Sequence, residues 1–170
     1  MKKIALLGDF QGILNDYENV RPETLGRLFS TRQLTVVFDS FVNINSSLSN
    51  TYHDNNGKCI FITLSNDVDD RHQNCEILVA RDEMESIDLI YSTSSEFYLF
   101  PGGPEILSRL SYFWVKNTMS NAPKQIYLVG EQWKNVAESF KANGVITDLE
   151  LKFTKSIDPS ELIDFFVRGS

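Results

Sequence analysis

Short apolar runs alternate with longer amphipathic segments along the whole chain. The runs are rich in β-branched and aromatic side chains, which is typical of buried strands. The predicted strands span Lys3–Gly8, Leu34–Phe38, Lys58–Leu64, Glu76–Ala80, Glu96–Phe100, Gln125–Val129 and, as a short last one, Leu149–Phe153.

Between these runs, apolar residues recur at three- and four-residue spacing, which predicts helices. The clearest stripe consists of Ile106, Leu110, Phe113 and Trp114. An Asn- and Ser-rich segment, 43–57, is predicted as a loop or as a poor helix followed by a loop. The predicted helices span Arg21–Thr31, Asp82–Thr93, Pro104–Asn117, Glu131–Ala142 and a segment beginning at Asp158-Pro159-Ser160-Glu161.

Alternating strands and helices imply crossover connections and therefore a mostly parallel sheet. The pattern predicts one Rossmann-like, doubly wound α/β domain over residues 1–170, with helices on both faces. In such folds ligands bind at the carboxyl ends of the strands. The expected rim of a pocket is Gly8–Gly12, Asp39–Asn43, Ser65–Asp70, Pro101–Glu105 and Gly130–Trp133.

Composition and charge limit the classes of partner and the cellular locations expected for this chain. The net charge of −7 disfavours nucleic acid as a partner, because an acidic surface repels phosphate backbones. No apolar run reaches membrane-spanning length, and Asp9 interrupts the first one too early for a signal-peptide core. Cys59 is predicted to be a buried free thiol, and the two cysteines, Cys59 and Cys75, do not make a disulfide framework. A reducing, cytoplasmic setting is therefore expected.

The segment "FYLFPGGPEILSRL", residues 97–110, joins a predicted strand to a predicted helix through Pro101, Gly102 and Gly103. Glycines let the backbone approach a ligand, and a helix N-terminus favours an anion. By itself such a corner is equally consistent with a tight turn.

Other parts of the chain extend this pattern. Met84 lies upstream in "RDEMESIDLI", and downstream come "SYFWVKNT" and "PKQIYLVGEQWKNVAESFKANGVI". Together with Pro101-Gly102-Gly103, these segments resemble the Lonely Guy family, once labelled "possible lysine decarboxylase", within the nucleotide-binding SLOG group. The resemblance covers roughly residues 58–147, and the first 57 residues agree only in pattern.

The resemblance implies a hydrolase that cleaves the N-glycosidic bond of nucleoside 5′-monophosphates, with a Glu and an Arg carrying the chemistry. This chain departs from the family at those places. Arg109 replaces the motif Glu, and Glu105-Ile106 replaces the motif Gly-Thr. Ile87-Asp88 replaces the upstream Arg-Lys, and Asp39-Ser40-Phe41 replaces a second glycine run.

These departures change the expected chemistry. Glycosidic cleavage needs a carboxylate beside an oxocarbenium-like centre, and Arg109 has the wrong charge for that role. Glu105 is the candidate catalytic carboxylate, but in the first helical turn it complements the helix dipole and repels a phosphate. Pro104 removes a further amide donor. Arg109 either pairs with Glu105 at i, i+4 on the helix surface or contacts a ligand phosphate or carboxylate.

The first turn, "LLGDFQG", adds Gly8, Asp9 and Phe10 as ligand-binding candidates. Asp9 would accept hydrogen bonds from hydroxyls of a nucleoside, and Phe10 would stack on it. The complete candidate set for ligand binding is Gly8, Asp9, Phe10, Met84, Pro101, Gly102, Gly103, Glu105 and Arg109. The acidic segment "LSNDVDDRHQNCE" lacks EF-hand spacing and is interpreted as a solvated loop, so neither a metal nor a cofactor is expected.

Three functions stay open on the sequence. The first is a divergent, non-catalytic protein that senses, carries or sequesters a small nucleotide-like ligand. The second is an active phosphoribohydrolase with its carboxylate moved to Glu105 or Asp9. The third is an interaction subunit without a small ligand. The aromatic helix around Tyr112–Val115 favours a homodimer, the alternative being burial of that helix beneath the C-terminal helix.

Overall fold

The computed structural model describes residues 2–8, 21–40, 46–64 and 75–168. Within them seven strands form one sheet in the order β4-β3-β2-β1-β5-β6-β7, and every described pairing is parallel. The strands are β1 (Lys3–Leu7), β2 (Thr35–Asp39), β3 (Lys58–Thr63), β4 (Glu76–Val79), β5 (Glu96–Leu99), β6 (Gln125–Val129) and β7 (Thr154–Ile157).

The chain between β3 and β4 lies mostly outside the described residues. Helices form the other connections, as crossovers between parallel strands require. In the described residues they are α1 (Pro22–Thr31), α2 (Ser46–Asp54), α3 (Glu83–Thr93), α4 (Pro104–Met119), α5 (Glu131–Ala142), α6 (Asp148–Leu151) and α7 (Leu162–Arg168), with a 3₁₀ turn at Pro159–Glu161 before α7. The predicted α/β architecture is confirmed. None of the described helices is long and apolar enough to cross a membrane.

The helices cover both faces of the sheet. Residues of α1, α2 and α7 share one apolar cluster, which includes Phe29, Tyr52 and Phe166. Residues of α3, α4 and α5 share the other, which includes Ile90, Phe113 and Trp133. Because both faces are covered, the central strands are apolar along nearly their whole length.

The prediction of a strand at Leu149–Phe153 is wrong. Thr147 caps a short helix there, because its Oγ1 accepts the N–H of Leu149 at 3.2 Å and the Glu150 carboxylate accepts the N–H of Thr147 at 2.8 Å. This reciprocal capping box stabilises the N-terminus of a helix, α6, in this segment. The last strand, β7, follows at Thr154–Ile157 and pairs with β6.

The aromatic helix is buried within this chain. Phe113 and Trp114 on α4 lie in the cluster shared with α3 and α5, and the Trp114 indole donates a hydrogen bond to Thr154 Oγ1 at 3.0 Å. The C-terminal helix α7 packs in the opposite cluster, where Phe166 meets Phe29. The alternative in which α7 covers the aromatic helix is therefore wrong.

Cys59 and Cys75 form a disulfide, so the prediction of a free thiol at Cys59 is also wrong. Ile60 pairs with Glu76 across β3 and β4, and the cysteines directly precede these two residues. The parallel register thus places their Cα atoms 4.7 Å apart, the spacing of neighbouring strands. The reducing, cytoplasmic setting was inferred from free cysteines, so the disulfide removes the basis of that inference.

Candidate ligand-binding site at the switch point of the sheet

The direction of winding reverses between β1 and β5. From β1 the chain adds β2, β3 and β4 on one side, and then β5, β6 and β7 on the other. In open α/β sheets, ligands bind in the crevice that this reversal leaves at the carboxyl ends of the strands. The two turns that border it are Gly8, after β1, and Phe100–Gly103, after β5.

These two turns are in direct contact. Gly8 has φ of +109°, and a Cβ built on it would lie 2.3 Å from the Phe100 carbonyl oxygen. A Cβ on Gly102 would lie 2.4 Å from Ile106 Cγ1 and 3.7 Å from Gly8 Cα. Glycine is therefore required at position 8, because the backbones of the two turns approach closer there than any side chain allows, whereas a Cβ on Gly102 would meet the Ile106 side chain of the following helix.

Helix α4 begins at the end of the second turn and caps itself. The Gly103 N–H donates to Glu105 Oε1 at 3.2 Å, and Pro104 supplies no N–H. The exposed Glu105 carboxylate thus occupies the place at the helix N-terminus where an anion would otherwise bind. The hydrogen bond agrees with the expectation that this carboxylate complements its own helix.

Helix α5 begins at the same edge of the sheet, one strand further along. Its N-cap, Gly130, has φ of +95°, and no side chain in the described parts of the chain caps the helix. The buried Trp133 indole N–H donates to the Phe100 carbonyl oxygen at 2.6 Å. This bond fixes the first turn of α5 against the turn that follows β5.

Arg109 is fully buried and forms an ion pair with Asp39. Arg109 Nε donates to Asp39 Oδ2 at 2.8 Å, Nη2 lies 2.7 Å from the same oxygen, and both side chains are 0% exposed. Asp39 is the last residue of β2, so the pair ties α4 to the carboxyl end of a strand beside β1. The alternative of a surface ion pair between Arg109 and Glu105 is wrong, because the guanidinium turns inward toward the sheet.

The remaining contacts of Arg109 join two further segments to this pair. Arg109 Nη1 donates to the Glu105 carbonyl oxygen at 2.9 Å and lies 3.6 Å from Glu83 Oε1. Glu83 is half-exposed at the start of α3, and its neighbour Met84 is 59% exposed. One buried cation thus holds the end of β2 and the first turns of α3 and α4 together.

The structure gathers some of the sequence candidates and leaves others undescribed. Gly8, Pro101, Gly102, Gly103 and Glu105 border one crevice, with the Arg109 ion pair beside it. Asp9, Phe10 and the acidic segment at 65–74 lie outside the described residues.

Sequence reasoning missed Asp39 as the partner of Arg109. The sequence did hold two signals, a carboxylate at the end of an apolar strand and an arginine on an apolar helix. However, a separation of 70 positions along the chain concealed the pairing of Asp39 with Arg109.

The described side chains around these turns are already engaged with one another. The Arg109 guanidinium is held by Asp39. Glu105 is engaged with the Gly103 amide, and Asp39 is engaged with Arg109. Glycine turns and a helix N-terminus can hold an anionic group without any of these side chains taking part.

No protein-family model and no curated protein matches the chain. Solved structures of molybdenum cofactor carrier and binding proteins are among those that share its fold. A molybdenum cofactor carrier protein from Chlamydomonas reinhardtii is 13% identical with a TM-score of 0.61, covering 96% of this chain and 94% of its own. A molybdenum cofactor binding protein from the phototrophic bacterium Rippkaea orientalis is 16% identical with a TM-score of 0.66, covering 96% and 93%. At this identity the likeness establishes the Rossmann-type fold.

Proposed function

We propose that this protein binds and carries a small phosphorylated heterocyclic ligand, of the nucleotide or pterin class, in the crevice between β1 and β5. The observation that carries the proposal is the contact of two glycine turns at the switch point, where Gly8 and Gly102 come together. Beside them the place of a hydrolytic glutamate is taken by Arg109, locked on Asp39. The site keeps the backbone needed to hold a phosphate and lacks the family's carboxylate.

The molybdenum cofactor, a phosphorylated pterin, is the first ligand to test as cargo. Two solved proteins of the same fold and nearly the same length bind or carry it. The backbone N–H groups of the first turn of α5, which has no side-chain cap in this part of the chain, are the proposed phosphate donors, and the exposed Glu131 in that turn has to point away from the ligand. Glu105 would have to turn away from the Gly103 amide to admit an anion at α4 as well.

Membership of the Lonely Guy and SLOG group is part of this proposal. It rests on the Pro101-Gly102-Gly103 turn and the shared Rossmann-type fold. A divergent member with Arg109 in place of the glutamate would bind its ligand without cleaving it. The second candidate, hydrolysis with Glu105 as the carboxylate, needs Glu105 to leave its capping position.

A ligand panel separates these functions. Thermal unfolding would be followed with isolated molybdenum cofactor under anaerobic conditions, with nucleoside 5′-monophosphates and with the free bases. A ligand that binds only the folded state raises Tm by mass action. We expect a rise with phosphorylated ligands, none with the bases, and no release of base or ribose 5-phosphate. Turnover would contradict the carrier role, and a flat response to the whole panel would favour an interaction subunit.

Replacing Glu105 by glutamine should strengthen the binding of AMP and of orthophosphate. The neutral side chain no longer competes with the anion for the helix N-terminus, and a charge there is worth about 0.3–1 kcal/mol, or about twofold to fivefold in Kd. Isothermal titration with both ligands checks this. The matched control is Glu138→Gln, which removes an exposed charge midway along α5 and should leave Kd unchanged. Equal effects of the two variants, or weaker binding after Glu105→Gln, would contradict the assignment.

A homodimer and a cytoplasmic location complete the proposal. Val115 and Met119 lie one turn apart on α4 and are 51% and 79% exposed, an apolar surface suited to a second copy. Sedimentation equilibrium of the wild type and of a Val115→Lys/Met119→Lys variant tests the dimer. A monomeric wild type would refute it.

A further inference from the structure

A second cluster of chemically active side chains lies at the opposite edge of the sheet from the crevice. It consists of His53, Cys59 and Cys75, whose ligating atoms all lie within 4.8 Å of one another. His53 Nδ1 is 3.7 Å from Cys59 Sγ, and His53 Nε2 is 3.9 Å from Cys75 Sγ. The carrier function makes no use of these residues.

The fold brings the three residues together from three elements. Cys59 is near the amino end of β3, Cys75 directly precedes β4, and His53 lies in the last turn of α2, the helix that leads into β3. The cysteines are only 5% and 8% exposed, and the histidine is half-buried. The register of β3 and β4 and the last turn of α2 thus hold the three side chains next to one another.

The distances suit a tetrahedral metal site once the disulfide is open. With metal–sulfur and metal–nitrogen bonds of about 2.3 and 2.0–2.1 Å, tetrahedral ligand atoms stand about 3.5–3.8 Å apart. A metal ion takes one ring nitrogen, and His53 Nε2 lies 4.0 Å from Cys59 Sγ and 3.9 Å from Cys75 Sγ, just above this spacing. Two thiolates and an imidazole are the donor set that Zn²⁺ prefers.

We propose that Cys59, Cys75 and His53 form a redox-gated site for a thiophilic divalent cation of the Zn²⁺ class. In the oxidised protein the two sulfurs are bonded to each other and the site is closed. In the reduced protein the two thiolates and the imidazole hold the metal, with a fourth position left for water or another ligand. Metal occupancy then reports the redox state of the protein.

The opening step balances as a thiol–disulfide exchange. A dithiol reductant donates two electrons and two protons, becomes a disulfide itself, and leaves Cys59 and Cys75 as thiols. Binding of the cation releases both thiol protons to solvent and forms two metal–thiolate bonds. One ring nitrogen of His53 donates its lone pair to complete the protein ligands.

A cavity gives solvent a route to this edge of the sheet. It has a volume of about 350 Å³ and is lined by Cys59 together with Lys58, Ile60 and Glu76, among others. The cavity therefore brings solvent up to Cys59, one of the three proposed ligands. The route is separate from the crevice between β1 and β5.

The test uses the full chain, oxidised or reduced with a phosphine and freed of reductant under anaerobic conditions. Each form is titrated with Zn²⁺ in competition with a chromogenic chelator, and with Co²⁺ for absorption spectra. We expect one equivalent bound by the reduced protein, with the thiolate-to-Co²⁺ charge-transfer band, and none by the oxidised protein. Equal binding by both forms, or none by the reduced form, would overturn the proposal.

Variants assign the ligands. Cys59→Ser/Cys75→Ser should abolish binding, and His53→Ala should weaken it at least about tenfold, since even residues behind the ligands contribute that much. His72→Ala is the control, because it removes the chain's other histidine. An equal loss in His53→Ala and His72→Ala would overturn the assignment of His53. If the double variant does not fold, the reduced wild-type protein is alkylated with and without Zn²⁺. The added metal is expected to protect the two thiols from alkylation, and unprotected thiols would refute the site.

Discussion

Replacing Arg109 by methionine is expected to lower the free energy of unfolding by about 3–5 kcal/mol, the usual cost of breaking a buried ion pair from one side. The variant removes the guanidinium that faces Asp39, while the carboxylate stays at 0% exposure. It also removes the donor to the Glu105 carbonyl oxygen and so loosens the first turn of α4. Urea denaturation followed by the fluorescence of Trp114 and Trp133 measures the loss.

A double variant and a surface control make this test specific. Asp39→Leu/Arg109→Met removes both charges and should recover much of the stability, because apolar replacement of a whole buried pair is often neutral. Arg168→Met breaks the exposed pair with Asp164 and should change little. An Arg109→Met protein as stable as the wild type, or a double variant no better than the single one, would contradict the role given to the pair.

Replacing Gly8 by alanine is expected to destabilise the protein by about 4 kcal/mol or more, which is in the exceptional range for one substitution and enough to unfold a domain of ordinary stability. The new Cβ would lie 2.3 Å from the Phe100 carbonyl oxygen, a backbone atom that cannot rotate away. The backbone at Gly8 also has φ of +109°, where alanine is strained. If enough protein folds, the rise of Tm with phosphorylated ligands should disappear as well.

Gly144→Ala is the matched control for the cost of placing alanine at a positive φ. Gly144 also has a positive φ, +70°, but a Cβ there would meet nothing within 4 Å. Its cost should therefore be the strain alone, about 1–2 kcal/mol. Similar losses in the two variants, measured by urea denaturation, would show that the contact between the two turns is not what requires glycine at position 8.

The strands and helices could be predicted from the sequence wherever a long pattern repeats. Gln125–Val129 and Glu131–Ala142 were predicted with the bounds that the structure has. The exception is Leu149–Phe153, whose apolar and charged side chains alternate as in a half-buried strand. The capping pair, Thr147 and Glu150, was the better signal, because it specifies how a helix begins.

The site could be predicted only as far as local sequence specifies it. The turn at Pro101–Gly103 and its self-capping by Glu105 follow from neighbouring residues, and both were expected. The two long-range partnerships, Asp39 with Arg109 and Cys59 with Cys75, depend on which strands lie side by side. Strand order is set by the packing of the whole chain, so no local pattern reveals these contacts.

The ion pair of Asp39 and Arg109 also constrains which substitutions this chain can accept. The two positions are coupled, because each side chain is the buried partner of the other's charge. Glutamate at position 109 beside Asp39 would bury two carboxylates together, and glycine at position 39 would deprive Arg109 of its nearest carboxylate. Glu83, 3.6 Å from Arg109, offers a substitute partner only on the second route. A path of single substitutions through this site therefore meets its smaller barrier when position 39 changes first.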